Sequence, residues 1–289
     1  MHFKLAKGIL SAHNGTNLYR GCTHGCIYCD SRSDCYNMQH AFEDIEVKSN
    51  ATELLEKALA GKRRKCMIGT GSMCDPYMPC EREIGSTRKQ LELILRYGFG
   101  ATLITKSDLV LRDIDLLCAI HEKTKCVVQM TLTTYDEALC RIVEPKVCTT
   151  ARRFEVLKIL RDHGIPTVVW LCPVLPFLND TEENVRGILA YCAEAGVYGV
   201  LSFGMGVTLR AGNREYFYRQ LDIHFPGLRE TYERTYGLAY EVPSPNAAAL
   251  QRLFEQECGK YGILCNAREI FSYLSEFPAS ALPQQTSMF

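Results

Sequence analysis

Three times along this chain a helical pattern stops at a glycine and an apolar, β-type run follows at once. Gly98 precedes Ala101–Thr105, Gly164 precedes Ile165–Leu171, and Gly196 precedes Val197–Phe203. Glycine suits that junction because the residue closing a helix often turns left-handed, a conformation in which any Cβ is penalised. The helices so ended are amphipathic. Thr52–Leu59 gathers Leu54, Leu55, Ala58 and Leu59 on one side before Gly61, and a Thr87/Gln90 capping-box pattern opens a helix bearing Leu91, Ile94 and Leu95. Asp113–Glu122 and Ala151–Asp162 follow, and Asp180 with Glu183 opens a helix carrying Val185, Ile188, Leu189 and Cys192.

The strands, with Cys66–Ile68 and Cys126–Leu132 added, are continuous apolar runs, as parallel strands covered on both faces are. About six strand–helix units up to Phe203 predict an α/β chain folded as a partial (β/α)6 TIM-like barrel, with its chemistry at the C-terminal ends of the strands. Beyond Gly204 the rhythm changes. Arg214–Phe225 is rich in aromatics, Ser244-Pro245 starts a helix to Tyr261, and Ile263–Asn266 is short. The expected organisation is a barrel core over residues 1–211 and a mostly helical extension over 212–277 packed on one side of it. The tail over 278–289, made of Pro, Ala, Ser and Gln, is expected to be disordered.

Composition narrows the classes of partner. The 33 basic and 33 acidic residues cancel, so nothing draws the whole surface to nucleic acid or anionic lipid, and such binding must come from a local patch. The run Lys62-Arg63-Arg64-Lys65 reads as a solvated helix end. The N-terminal stretch has Lys4 and Lys7 but no apolar signal region, and no uncharged run nears the ~18 residues of a membrane helix. A soluble protein is expected. Fifteen cysteines in a chain of 289 residues point to a reducing cytoplasm rather than to a disulfide framework, which belongs to small secreted domains.

Most of those cysteines are scattered, but three are not. Within Asn17–Asp30, Cys22, Cys26 and Cys29 form C-x3-C-x2-C, with Gly21 and Gly25 allowing the tight coiling that brings thiolates together. Thiolates favour zinc, copper(I) or iron–sulfur clusters. A four-iron cluster normally takes four cysteines, so three leave one iron open for chemistry. A zinc ion held by the same cysteines and His24 is the alternative. A second informative stretch, Gly69–Glu81, is a polar glycine-rich turn at a strand end, where backbone can approach a ligand.

The cysteine motif, with Tyr28 just before its last cysteine, resembles the signature of the radical S-adenosylmethionine (radical SAM) superfamily. Asp75-Pro-Tyr-x-Pro-x-Glu81, Thr87-Arg88, Ile104–Ser107, Leu111–Leu117, Glu144-Pro145, Arg153 and Pro173–Pro176 are similar to the spore photoproduct lyase-like branch, also described as DNA repair photolyases. The resemblance implies a [4Fe–4S] cluster on Cys22, Cys26 and Cys29, with SAM chelating the open iron and cleaved by one electron to methionine and a 5′-deoxyadenosyl radical. It implies Tyr28 beside the adenine, Gly71, Ser72 and Asp75 at the methionine end, Lys106 at the SAM carboxylate, and Thr131 and Arg153 at the ribose or carboxylate. It also implies a lyase-like reaction on damaged DNA and an electron donor such as flavodoxin or ferredoxin.

One position departs from that branch. Its hydrogen-atom donor is a cysteine three residues before the loop aspartate, where this chain has Ser72; Cys74 directly precedes Asp75 and is the alternative donor. The C-terminal Gln285-Thr-Ser-Met-Phe289 resembles the peptide by which bacterial polymerases and repair enzymes dock the sliding clamp. Radical chemistry on a peptide or small metabolite, and a non-catalytic metal-binding interaction protein, are the competing functions.

Overall fold

The computed structural model describes residues 1–278; the clamp-like peptide Gln285–Phe289 lies outside the described residues. A small three-stranded sheet opens the chain, made of β1 (His2–Lys4), β3 (Tyr19–Arg20) and β4 (Glu46–Lys48), with β4 in the middle. The main sheet has six parallel strands in chain order: β2 (Gly15–Thr16), β5 (Met67–Thr70), β6 (Gly100–Thr105), β7 (Cys126–Thr131), β8 (Thr167–Trp170) and β9 (Gly199–Leu201). The helices between them are α1 (Ala51–Gly61), the one-turn α2 (Glu81–Ile84), α3 (Ser86–Tyr97), α4 (Ile114–Lys123), α5 (Glu137–Val143), α6 (Thr150–Asp162) and α7 (Glu182–Ala195). This is the partial, TIM-like α/β barrel.

Gly98, Gly164 and Gly196 all have positive φ, at 66°, 73° and 63°, as the helix-to-strand junctions require. Two helix starts differ from expectation. Thr87 and Gln90 form no capping box: α3 begins at Ser86 after left-handed Gly85. The Thr87 hydroxyl instead donates to Pro76 O (2.6 Å), and the Gln90 amide oxygen accepts from Thr16 (2.9 Å). Thr181, not Asp180, caps α7 by accepting from Asn184 N (3.1 Å), while buried Asp180 accepts from Ser244 (2.6 Å). In both cases a buried tertiary partner outcompeted the local one.

Strand parity sorts the barrel. Cys126, Val128 and Met130 of β7 face the helices and join the main core with Leu117, Ile120, Val156 and Leu160. Val127, Gln129 and Thr131 face the barrel's interior. There Gln129 donates to Thr102 (2.8 Å) and accepts from Trp170 Nε1 (2.8 Å), making a polar layer across three strands.

The C-terminal part contains β10 (Gly206–Thr208), α8 (Asn213–His224), α9 (Leu228–Tyr236), β11 (Glu241–Pro243), α10 (Ala247–Tyr261) and α11 (Ala267–Ser275). β10 and β11 pair antiparallel, and α10 lies on α7. Beyond it, Leu264 bridges to Gly199 at the open edge of the sheet, with Val200 N donating to Leu264 O (2.8 Å). Ile270 and Leu274 of α11 then pack against Val127, Val168 and Leu201. Helix α11 thus fills interior space that further strands would occupy in a complete barrel. Among the described residues, no helix is long and apolar enough to cross a membrane, and all fifteen cysteines are free thiols.

Candidate active site

A cavity of about 650 Å³ opens at the C-terminal ends of the strands, between the cysteine loop and the β10–β11 hairpin. The loop is shaped by its glycines. Gly21 has φ +86°, and a Cβ on it would meet Phe42 O at 2.4 Å, so no other residue fits there unstrained. The loop is stitched to the end of α5 by Ile27 N donating to Val143 O (3.0 Å), and to the segment after it by Lys146 N donating to His24 O (3.1 Å). Helices α8 and α9 buttress it from behind, where Phe217, Tyr218, Leu221 and Tyr232 form one apolar cluster with Cys26, Ile27 and Tyr28.

Cys22 and Cys26 are buried and Cys29 half-buried, and all three line the cavity. Burial pushes the Cys22 and Cys26 thiols up, Cys26 to about 12, so these two need a strong Lewis acid to become thiolates at neutral pH. A four-iron cluster takes one thiolate on each iron, so three cysteines suit one with an open position. Elsewhere, among the described residues, one donor atom each of His2, His40 and Asp44 lies within 4.8 Å of the others. His24 is turned aside, with Nδ1 3.5 Å from Asp75 Oδ2, and burial holds its imidazole below the ordinary value despite the nearby Asp75 charge.

Gly71, Ser72, Cys74 and Asp75 line the same cavity after β5. Gly71 has φ +99°, and its Cα approaches β6 so closely that a Cβ would lie 2.2 Å from Ile104 O. Asp75 ties this loop to the end of β6. Its Oδ1 accepts from Thr105 Oγ1 (2.7 Å) and Tyr77 N (2.8 Å), and its Oδ2 accepts from Lys106 N (2.7 Å). Lys106 and Thr131, at the ends of adjacent strands, also line the cavity. Lys106 Nζ lies 5.9 Å from the centre of the Tyr28 ring. Burial alone would lower its ammonium, but the facing Cys26, Glu144 and Asp75 outweigh that and raise it. The Cys74 thiol donates to Tyr19 O (3.0 Å), and burial pushes it up to about 12.

Arg153 is placed elsewhere. It is fully buried beneath the cavity and does not line it. Its Nη1 donates to Thr131 O (2.9 Å), its Nε to Cys148 O (2.9 Å), and its Nη2 pairs with Glu144. Glu144 in turn accepts from the Tyr28 hydroxyl. Burial would raise the Glu144 carboxyl, yet the Arg153 and Lys106 charges, with hydrogen bonds from Tyr28 and Arg153, hold it below the usual range. A chain Thr131–Arg153–Glu144–Tyr28 therefore fixes the cysteine loop to the end of β7. Glu144 stood in a quoted motif without a role, and only the long-range fold supplies one.

Sequence reasoning also missed the far wall, where Trp170 and Phe203 line the cavity with Met205, Val207, Glu241, Val242 and Pro243. The Trp170 and Phe203 rings are 5.4 Å apart, and Phe271 of α11 is 6.1 Å from each. The available signal was strand parity, since Trp170 ends β8 on the same face as the inward Val168.

The family model for the radical SAM superfamily matches residues 16–190, more than half of the 289 residues. The chain belongs to the radical SAM superfamily. It is a radical SAM enzyme, and that family's cofactors are a [4Fe–4S] cluster and SAM. An uncharacterized protein of Mycobacterium tuberculosis is 27% identical over 279 residues, covering 94% of this chain and 81% of that one. An uncharacterized protein of Methanocaldococcus jannaschii is 32% identical over 168 residues, 57% of this chain and 62% of that one. Among solved structures, spore photoproduct lyase complexed with dinucleoside spore photoproduct superposes with a TM-score of 0.66 at 14% identity, covering 90% of this chain and 78% of that one. The radical SAM methyltransferase TsrM from Kitasatospora setae, with cobalamin and a [4Fe–4S] cluster bound, gives a TM-score of 0.56 at 13% identity, covering 88% and 54%. At such identities these likenesses concern the fold.

Proposed function

We propose that this radical SAM enzyme acts on damaged nucleic acid, with the target base seated against Trp170 and Phe203. The observation that carries the reading is the aromatic wall facing the cysteine loop across one cavity. Trp170 is held by its hydrogen bond to Gln129, while Phe203 keeps more than half its surface exposed at the rim. Every base has a flat face to stack on such rings, worth about 1–3 kcal/mol per base. The shared fold with spore photoproduct lyase, solved with a dinucleoside lesion bound, agrees with it.

In this reading Cys22, Cys26 and Cys29 hold the cluster, and Tyr28, Gly71, Ser72, Asp75, Lys106 and Thr131 seat SAM. When bound, cluster and SAM supply a 5′-deoxyadenosyl radical, the electron coming from a ferredoxin- or flavodoxin-like donor. Lys106 offers SAM's carboxylate an ammonium with no hydrogen-bond partner among the described residues. Gly71 keeps the loop low enough for close backbone approach. Asp75 orients rather than binds, since both its oxygens already accept from the protein. Arg153 supports Thr131 and Glu144 from below. Cys74, kept protonated by burial in the cavity wall, is the proposed hydrogen-atom donor.

The test is anaerobic incubation of the reconstituted, reduced protein with SAM, with and without ultraviolet-damaged DNA. Damaged DNA is expected to stimulate 5′-deoxyadenosine formation and to be altered, and Phe203→Ala to weaken both. If 5′-deoxyadenosine forms but damaged DNA neither stimulates it nor changes, the substrate is of another class. Loss of all SAM cleavage in Cys26→Ala is required whatever the substrate.

A further inference from the structure

The group of metal-type donors noted above lies away from the cavity, on the small N-terminal sheet. His2 of β1 sits in register with Glu46 of β4, and His40 and Asp44 come from the loop leading into β4. One donor atom each of His2, His40 and Asp44 lies within 4.8 Å of the others. The imidazoles meet edge to face, with centres 4.8 Å apart.

Hydrogen bonding fixes which nitrogens are available. His2 Nδ1 faces Asp44 Oδ2 at 2.9 Å, and His40 Nδ1 faces Ala41 O at 3.0 Å. Both partners accept, so the tautomer that donates from Nδ1 leaves Nε2 of each ring to present a lone pair. Those two atoms lie 4.0 and 3.9 Å from one oxygen, Glu46 Oε2. Glu46 Oε2 thus faces both Nε2 atoms, and His40 Nε2 is buried with no hydrogen-bond partner among the described residues. Metal-bound histidines have this outer arrangement, the second ring nitrogen donating to a carboxylate or a backbone carbonyl. A tetrahedral zinc with bonds of about 2.0–2.2 Å holds neighbouring nitrogen and oxygen ligands about 3.3 Å apart, so each gap closes with a side-chain shift of under about 1 Å.

We infer that His2 Nε2, His40 Nε2 and Glu46 Oε2 bind a zinc-class divalent cation, with Asp44 as the outer partner of His2. Two imidazoles and one carboxylate suit zinc, whereas a thiolate set would suit an iron–sulfur cluster. Lys4 Nζ, 3.0 Å from Glu46 Oε2, and the Met1 ammonium, 2.6 Å from Asp44 Oδ1, are competing cations; Lys4 is largely exposed and free to swing away. The bound ion would pin β1 to β4. Since β3 pairs with β4 and runs directly into Gly21 and Cys22, and Cys22 N donates to Phe42 O (3.0 Å), the clamp would brace the cysteine loop from outside.

The experiment uses the full chain with its iron–sulfur cluster reconstituted, so that the clustered thiols are occupied. It is loaded with Zn²⁺ alone, then analysed for metal content and by zinc X-ray absorption. One equivalent with a nitrogen/oxygen shell at about 2.0–2.1 Å, and no sulfur at about 2.3 Å, is expected. His40→Ala should lose that equivalent while its circular dichroism stays native. Asp44→Asn, which keeps all three ligands, should weaken binding about 10–100-fold, and Lys4→Met should tighten it. Sulfur in the zinc shell, no bound zinc, or a zinc equivalent that survives His40→Ala would overturn the site. None of these outcomes depends on SAM cleavage or DNA, so the test stands apart from the proposed function.

Discussion

Glu144 is the residue on which most of the site's geometry converges, and it touches neither the cavity nor solvent. It joins Arg153, which holds the end of β7, to Tyr28 of the cysteine loop. Removing one member of a buried ion pair strands the other, at about 3–5 kcal/mol. Glu144→Gln should therefore lower the unfolding free energy by that much at neutral pH, read as a lower denaturant midpoint with an unchanged slope, and adding Arg153→Met should recover part of it. The pH dependence follows from the depressed carboxyl. A folded-state value below the ordinary 4.5 gives stability that is full above that pH and lost as pH falls through the lowered value. The gap between wild type and Glu144→Gln should close toward acid, and a gap independent of pH would contradict the pairing. Gly71 carries a second prediction. At φ +99° with Ile104 O in the way, Gly71→Ala must shift the loop, so SAM affinity should fall at least about tenfold, with about 1–3 kcal/mol of strain. Unchanged affinity by calorimetry would remove Gly71 from the SAM site. The cysteines and Gly71 were legible because few residue types tolerate what those positions demand. Arg153 was not, because a charged residue before a helix reads the same whether it faces a ligand or a buried carboxylate.

At the level of elements, the strand–helix alternation was visible because each junction is local: a glycine, a left-handed turn, an apolar run. The β10–β11 hairpin was not, since strands of three residues are too short to show a period. Helix α9 was missed for another reason. Its apolar contacts, led by Tyr232 beneath Phe217 and Tyr218, form with a distant cluster behind the cysteine loop. Helix α11 also shows an amphipathic pattern that cannot say which surface it meets. It meets the barrel interior, where Ile270 is fully buried and lies against Gly199, so closely that a Cβ there would be 2.9 Å from Ile270 Cδ1. Ile270→Ala should cost about 2–5 kcal/mol, the usual range for a buried aliphatic cut to alanine. Urea denaturation checks it, and a loss under about 1 kcal/mol would mean that α11 rests on the barrel without being part of its core.

For the whole molecule, the cancelled charge sets how a nucleic acid can be held. A protein that neutralises Z phosphates of duplex DNA loses affinity with salt at a slope of about −0.9Z in log–log form, and one making 6–10 phosphate contacts loses about 10³–10⁵ between 50 and 200 mM. With 33 basic and 33 acidic residues, no global field draws phosphates, and any matching of them is local. Glu241 in the cavity wall and Asp30 beside Arg210 already sit near the opening. In the proposed reading, affinity then comes chiefly from stacking on Trp170 and Phe203 and from fit within the cavity. Binding of a damaged oligonucleotide, followed by anisotropy from 50 to 200 mM salt, should show a slope shallower than about −3. Phe203→Ala should weaken it by about 1–3 kcal/mol while leaving that slope alone. A slope near −6 that Phe203→Ala does not affect would mean that phosphates rather than the aromatic wall hold the substrate, and the seat proposed for the base would have to be given up.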